Sequence, residues 1–391
     1  MIARILIPLL LVILLSDWYI DRRILRRFCR CLWWQRLLWW MPSILLCGCA
    51  LALGLSRRFA PEDAWLLNSF LFLVGFWVMP KLVFVVCSLL GWGHCVYHHT
   101  KTNWGNLVGL LGALVVMGMT VYGSTWGFNR YTVRNEVFES KDLPQAFDGY
   151  RIVHLSDAHV GTWGNDTDGL LKQMVDDINA LKPDAIVFTG DLQNVEPKEI
   201  YPFKLLLGSL KAKDGVFSVL GNHDYAYYAR HASEAQQAAN EQEIVDLERA
   251  MGWNVLMNAH HVVRRGSDSI VIAGMENQGR PPFPEKGNIR QTMSGVGQQA
   301  FTVMLQHDPS AWRTVILPQS NAQLTLSGHT HAMQFSLLGL SPAALLYKEW
   351  GGMYHEGNRA INVSVGMGGF IPFRIGATNE IVVITLHREA H

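Results

Sequence analysis

The sequence predicts an α/β protein in two parts. A bundle of about four membrane-crossing helices comes first, then a sandwich of two mixed β-sheets flanked by helices. Three observations carry this prediction. Residues 1–128 are apolar and Trp-rich with long uncharged runs, whereas the chain from about residue 130 has ordinary globular composition. In that second part, short β-type runs alternate with amphipathic helical stretches, the order expected of parallel strands with helices on their faces. Five short polar motifs also fall at the ends of apolar runs: Asp157-Ala-His159, Gly190-Asp191, Gly221-Asn222-His223-Asp224, Gln306-His307-Asp308 and Gly328-His329-Thr330-His331.

The membrane part occupies residues 1–128. Its uncharged runs cover 37–55, 64–80 (extending to 95 past Lys81) and 105–128. Each is long enough to cross ~30 Å of hydrocarbon, which takes about 20 helical residues. A shorter run, Ile5 to Leu15, precedes Asp17. Without a small-x-small cleavage site after it, it reads as an uncleaved first span reaching about Ile20. Between the first two spans lie Arg22, Arg23, Arg26, Arg27, Arg30 and Arg36, an excess that marks a cytoplasmic loop. The next loop, with Arg57 and Arg58 against Glu62 and Asp63, is neutral. Four crossings then put both termini, and the C-terminal domain, on the extracytoplasmic side of the inner (cell) membrane.

Two features of this part take ordinary readings. Lys81 is expected at a helix end, its ammonium snorkelling to the interface rather than serving a site. Trp33, Trp34, Trp39 and Trp40 are expected to form an interfacial aromatic belt.

Charge and cysteine content exclude other classes. Lys+Arg number 33 against 32 Asp+Glu, a net charge of +1, without the basic excess of a nucleic-acid binder. All six cysteines lie in the first 95 residues. The C-terminal part therefore has no thiolate ligand and no disulfide. Cys29-x-Cys31 and Cys47-x-Cys49 lack companion ligands and read as small apolar residues.

Residues 129–149 read as a connector with an edge strand, and 150–391 as the second domain. Arg151–Ser156, Asp184–Thr189 and Val216–Leu220 are strand candidates, separated by helical spacing at Asp168–Leu181 and Lys198–Lys211. A polar helix is expected over 233–251. Further strands are expected at His261–Arg265, Ser269–Ala273, Thr302–Gln306, Gln323–Leu326, Ala360–Val365 and Ile381–Leu386. The Pro-rich stretch Gln278–Gly297 reads as a loop that caps a cleft. In parallel sheets, ligands gather beyond the carboxyl ends of the strands.

That is where the motifs fall. In extended chain, two-residue spacing points Asp157 and His159 the same way, and likewise His329 and His331. Asp191 enters from a neighbouring strand and can reach two ions. Asn222 adds a neutral oxygen, and glycines before the ligands allow sharp turns. One histidine alone is most often a satisfied structural residue; seven ligand-type side chains at successive strand ends are not. Oxygen and nitrogen ligands without sulfur suit Mn²⁺, Fe²⁺ or Zn²⁺, with Mn²⁺ favoured.

The order D-x-H, G-D, G-N-H-D, H, G-H-x-H resembles the calcineurin-like metallophosphoesterase superfamily over residues 150 to about 387. Tyr354–Leu386 and the multi-span N-terminus are similar to its bacterial membrane-associated phosphodiesterase branch. The resemblance implies that Asp157, His159 and His331 hold one metal, that Asn222, His307 and His329 hold a second, and that Asp191 bridges them. It further implies that His223 faces the phosphate, oriented by Asp224, with Asn194 in a supporting position. The reaction implied is hydrolysis of a phosphodiester or phosphoanhydride by a water acidified between two ions.

Lys348, Tyr354, His355 and Arg374 follow the last motif and are the substrate-binding candidates, Arg374 for a second phosphate. Membrane anchoring suggests a lipid-linked or cell-envelope phosphoester, with membrane lipids as the other partner. The alternatives are a broad nucleotide or pyrophosphate hydrolase that is merely anchored, and a membrane sensor or transporter with an esterase output. Only Lys81 and the trio His94, His98 and His99 support the last.

Overall fold

The computed structural model describes residues 2–55, 64–164, 166–229 and 233–389. The neutral loop of Arg57, Arg58, Glu62 and Asp63 lies outside the described residues. Packing divides the chain into two units, residues 1–125 and 126–391.

The first unit is helical: α1 Ile2–Ile20, α2 Trp33–Leu55, α3 Ala64–Leu73, α4 Met79–His98 and α5 Gly105–Tyr122. A π-helical turn, Val74–Val78, joins α3 to α4, so residues 65–98 form one continuous helix. Three helices among the described residues are long and apolar enough to cross a membrane: Trp33–Leu55, Trp65–His98 and Gly105–Gly127. Small residues let two of them approach closely. A Cβ on Gly105 would lie 2.1 Å from the Cys87 carbonyl oxygen, so α4 and α5 meet backbone to backbone.

Lys81 corrects the sequence expectation. It sits near the middle of the continuous helix rather than at its end, and it is 6% exposed. Its ammonium donates to Asp17 Oδ1 of α1 at 2.7 Å and to Ser43 Oγ of α2 at 2.8 Å. It also lies over the Trp77 and Trp39 rings, at 4.9 and 5.6 Å. Trp39 therefore packs within the bundle, its centroid 5.4 Å from Trp77, while Trp33 and Trp34 stay exposed. A lysine cannot reach water from such a position, and pairing replaces snorkelling. Asp21 is neutralised in turn by Arg36, at 2.6 Å, from the arginine-rich segment.

The second unit is a sandwich. Its strands are β1 Tyr131–Ser140, β2 Tyr150–Leu155, β3 Ala185–Phe188, β4 Val216–Ser218, β5 Asn254–Val255, β6 Ala259–Arg265, β7 Asp268–Gly274, β8 Thr302–Leu305, β9 Leu324–Ser327, β10 Gly352–Glu356, β11 Arg359–Val363 and β12 Asn379–Arg388. One sheet has the order β1-β12-β2-β3-β4-β5 and the other β10-β11-β9-β8-β7-β6. Within the first, β2, β3, β4 and β5 run parallel; within the second, β7, β8, β9 and β11 do.

Ile152, Val187 and Phe217 of one sheet meet Ile272, Val303 and Leu326 of the other in a dry interior. Strands buried on both faces explain their continuous apolar runs. Helices α6 Leu170–Ala180 and α8 Glu234–Ala250 cover the outer face of the first sheet. The helix expected over Lys198–Lys211 is only a 3₁₀ segment, Pro197–Phe203, and one turn, α7 Lys204–Leu207, because Pro202 removes a donor and Gly208 ends the run. The 129–149 stretch contains β1, an edge strand paired along its whole length with β12. β5 and β10 escaped the sequence reading because neither shows an alternating apolar pattern.

Removing one member of a buried ion pair leaves the other charge uncompensated. Lys81→Met alone, or Asp17→Leu alone, is expected to destabilise the bundle by about 3 kcal/mol, and the double variant to recover most of it. Unfolding of the purified full chain in detergent measures this. A double variant no better than the worse single one would show that the pair is not the reason.

Candidate metal centre

Five strand ends build the centre. β2, β3 and β4 deliver Asp157 and His159, Asp191, and Asn222 through Asp224; β8 and β9 deliver His307 and the pair His329 and His331. Each strand runs parallel to its neighbour in this group, so their carboxyl ends lie at one end of the sandwich. The side chains converge differently from the sequence expectation. Asp157, His159, Asp191, His329 and His331 all have positive φ, between 44° and 72°, so left-handed turns rather than alternation of extended chain aim them inward. Such conformations cost a non-glycine residue energy and persist where surrounding bonds over-determine them.

The glycines play two distinct parts. Gly190, at φ 95°, makes the turn into Asp191. Gly221 and Gly328 are needed for space: a Cβ would lie 2.2 Å from Asp191 Oδ1 at the first and 2.1 Å from Asp157 Oδ2 at the second.

The ligand-type atoms form two groups, with Asp191 between them. In the first, Asp157 Oδ1 is 3.1 Å from His331 Nε2, His331 Nε2 is 3.2 Å from His159 Nε2, and His159 Nε2 is 3.7 Å from Asp191 Oδ2. In the second, His307 Nε2 is 3.1 Å from Asp191 Oδ2 and 3.1 Å from Asn222 Oδ1, and His329 Nδ1 is 2.7 Å from Asn222 Oδ1. Ions bound at ~2.0–2.2 Å place adjacent ligand atoms ~3 Å apart, so both groups fit a small divalent cation. The donor set is nitrogen and oxygen throughout, which matches Mn²⁺, Fe²⁺ or Zn²⁺.

Hydrogen bonds choose the tautomers. His307 Nδ1 donates to the Thr189 carbonyl at 2.7 Å, which leaves the Nε2 lone pair facing the centre. His329 Nε2 meets the Tyr347 hydroxyl at 2.9 Å, freeing Nδ1. Burial holds His159 and His329 below the usual imidazole range, so both imidazoles are neutral. His307 differs. Burial opposes its protonation, but Asp191 outweighs it and pushes the pKa up to about 10, so a cation there competes with a proton. Burial alone would raise the Asp157 carboxyl, yet His331 beside it holds it well below the carboxylate range.

His223 stands at the rim of this group, its ring 4.8 Å from that of His159 and 4.4 Å from that of Tyr228. The expectation that Asp224 orients it is not met. The Asp224 carboxylate instead accepts the backbone N–H of Asp191 and Gly221, at 2.7 and 2.8 Å, and of Leu192 at 3.0 Å. It ties the β3 and β4 ends together. His223 Nδ1 donates to the Asn194 carbonyl at 2.6 Å, so the backbone of a residue read as merely supporting fixes the ring.

The Asn194 turn is held by Glu199, whose carboxylate accepts the N–H of Asn194 at 2.6 Å and those of Val195 and Glu196. Burial raises the Glu199 carboxyl to about 7 against those three donors. The sequence did carry a signal for it: Glu196-Pro-Lys-Glu199 is a capping box.

The substrate candidates divide. Arg374 is fully buried, donating to the carbonyls of Val365, Gly368 and Ala377 and lying 3.4 Å from His331 Nδ1. It braces His331 and the Gly-rich turn, and at 1% exposure it offers no accessible face to a phosphate. The Tyr354 hydroxyl accepts from the Trp350 N–H, and its ring packs against the apolar cluster on the outer face of the second sheet. Lys348 is exposed, next to Tyr347 at the rim; His355 is exposed on β10. Tyr347, Tyr228 and Phe283, whose ring is 4.7 Å from His329, were not read from the sequence, because tertiary folding alone brings them there. Phe283 belongs to the Pro-rich loop expected to cap a cleft.

Comparison with known proteins matches both units. The calcineurin-like phosphoesterase family profile covers residues 150–333, and a profile described as "Probable Calcineurin-like phosphoesterase, transmembrane domain" covers residues 3–128. An uncharacterised metallophosphoesterase of Bacillus subtilis, YkuE, is 31% identical over 298 residues, 72% of this chain and 96% of that protein. A zebrafish (Danio rerio) transmembrane protein with a metallophosphoesterase domain is 29% identical over 71% of this chain, which spans 62% of that protein. An uncharacterised metallophosphoesterase of Helicobacter pylori strain 26695 is 25% identical over 89% of this chain and 88% of its own length. With its ligand-type residues gathered at the strand ends and a helical membrane region ahead of them, the chain belongs to the calcineurin-like metallophosphoesterases, metal-dependent hydrolases of phosphoric esters.

Proposed function

We propose that this membrane phosphoesterase hydrolyses phosphodiester or phosphoanhydride bonds with two divalent metals, Mn²⁺ favoured, on a lipid-linked or cell-envelope substrate at the extracytoplasmic face. The observation that carries the two-metal reading is the Asp191 carboxylate, whose Oδ2 lies 3.7 Å from His159 of one ligand group and 3.1 Å from His307 of the other. Asp157, His159 and His331 would hold one ion and Asn222, His307 and His329 the other, with Asp191 placed between the two groups. Two ions there would supply Lewis-acid stabilisation of phosphoryl charge and a water acidified towards neutral pH.

The chain's own groups do the rest. With Nδ1 committed to the Asn194 carbonyl, His223 presents Nε2 to the leaving oxygen; only its imidazolium form, which burial disfavours, carries a proton there to deliver. Asp224, through its backbone bonds, keeps Asp191 and His223 at fixed separation, and Arg374 steadies His331. The six-arginine segment on the cytoplasmic side of the first two helices supports an extracytoplasmic catalytic unit.

Four outcomes are expected. In the purified full chain, His223→Ala lowers kcat for bis-p-nitrophenyl phosphate by roughly 10²–10⁴-fold with metal content unchanged. Asp191→Asn loses metal and activity together, measured by elemental analysis beside the assay; retention of both metals would sink the shared-carboxylate assignment. Chelation of the wild-type chain abolishes turnover and lowers its unfolding temperature, and added Mn²⁺ restores both. A reporter fused after His391 gives an extracytoplasmic signal in cells; a cytoplasmic one overturns the topology.

A further inference from the structure

Chain connectivity bounds the distance from the metal centre to the end of the third apolar helix. β12 runs antiparallel to β2 with Val382 opposite His154, and β1 runs parallel to β12 with Tyr131 opposite Asn379. Continuing that register sets Asn379, and hence Tyr131, level with Asp157. Strands are ~4.8 Å apart, so Tyr131 is about 10 Å from the Asp157 backbone. Gly127, the last residue of the third apolar helix, is four residues earlier, at most ~14 Å of chain. Whatever the arrangement of the two units, connectivity holds the centre within about 25 Å of the end of that helix.

A leucine-rich loop rims the centre at this same end. It starts directly after His331 and ends at Tyr347, whose hydroxyl meets His329. Residues 332–347 contain no charged side chain. Leu338 is 94% exposed, Leu345 87% and Leu340 74%. Leu338 and Gly339 form the tip of a two-residue hairpin, both with positive φ (53° and 78°) and with Leu337 and Leu340 exchanging backbone bonds. Such a tip favours Asn followed by Gly. A leucine there is disfavoured by backbone conformation and again by water, and only an apolar environment outside the chain relieves the second.

The loop is tied to the edge from which β12 starts: the Ser336 N–H donates to the Ile375 carbonyl at 2.7 Å. Its far end is flanked by cations, with exposed Arg280 donating to the Leu346 carbonyl and exposed Lys348 following Tyr347. Apolar side chains that project beyond a fringe of Arg and Lys match a lipid surface, leucines in the acyl boundary and cations among phosphate headgroups.

We propose that the 332–346 loop inserts into the surface of the bilayer that this chain spans. The mouth of the metal centre then rests against the headgroups, and the substrate class is a phosphoester carried by a lipid. The substrate assignment rests on the phosphoesterase reading of the centre; the docking does not.

The test uses the full chain in nanodiscs of phosphatidylethanolamine and phosphatidylglycerol. A benzophenone side chain is placed at position 338 or, as control, at Ser267, exposed in the turn at the opposite end of the second sheet. Labelling of lipid from 338 and not from 267 is expected. Labelling from 338 no greater than from 267, or directed to a second copy or another protein in native membranes, overturns the docking.

Leu338→Glu combined with Leu345→Glu is expected to slow hydrolysis of a diacylglyceryl p-nitrophenyl phosphodiester in the disc at least about tenfold, leaving soluble bis-p-nitrophenyl phosphate unaffected. Equal effects on both esters overturn the lipid-substrate assignment. A wild-type chain that labels lipid from 338 but hydrolyses neither ester overturns the reading of the centre and leaves the docking standing.

Discussion

The Asp191 carboxylate is the constraint on which the catalytic end depends. It faces His307 at 3.1 Å and His159 at 3.7 Å, and it accepts the His223 backbone N–H at 2.8 Å. A buried acid with that many neighbours cannot be placed by its own rotamer alone. Its position is set from behind by Asp224, which gathers the N–H groups of Asp191, Leu192 and Gly221. Gly221 allows the approach, since any side chain there would occupy the space of the Asp191 oxygen. The two sheets are thus tied through a polar layer that sits directly on the dry sandwich core.

Strain and desolvation in this layer have one origin. Five of the ligand-type residues adopt left-handed backbone, and several buried polar atoms, among them His159 Nδ1 and Gln193 Oε1, have no hydrogen-bond partner among the described residues. Both costs are tolerated because the strands below are fully buried and rigid, and because the convergent lone pairs suit cations. Support comes from residues that touch no ligand atom. Glu199 holds the Asn194 turn that fixes His223, and Arg374 braces the turn behind His331.

The membrane unit solves a similar problem with different means. Charges inside an apolar bundle are expensive unless paired. Asp17 and Lys81, from helices far apart in sequence, meet beside Ser43 and two tryptophan rings. Glycines on α4 and α5 then allow backbone contact where leucine would hold the helices apart.

Much of this was legible in the sequence because it depends on local pattern. The length of apolar runs marks membrane helices, alternation of strand-type and helical runs gives a layered α/β domain, and glycine with Asp, Asn or His at strand ends marks the centre. All seven ligand-type residues come together, since the carboxyl ends of parallel strands must lie on one side. What the pattern could not decide were pairings across long sequence separations. Lys81 finds Asp17 rather than the interface, Asp224 bonds backbone rather than His223, and Arg374 turns inward to carbonyls. Tyr347 and Phe283 likewise reach His329 only through folding. An isolated side chain's chemistry is written in the sequence, but which partner satisfies it depends on which surfaces are buried together, and only the tertiary structure fixes that.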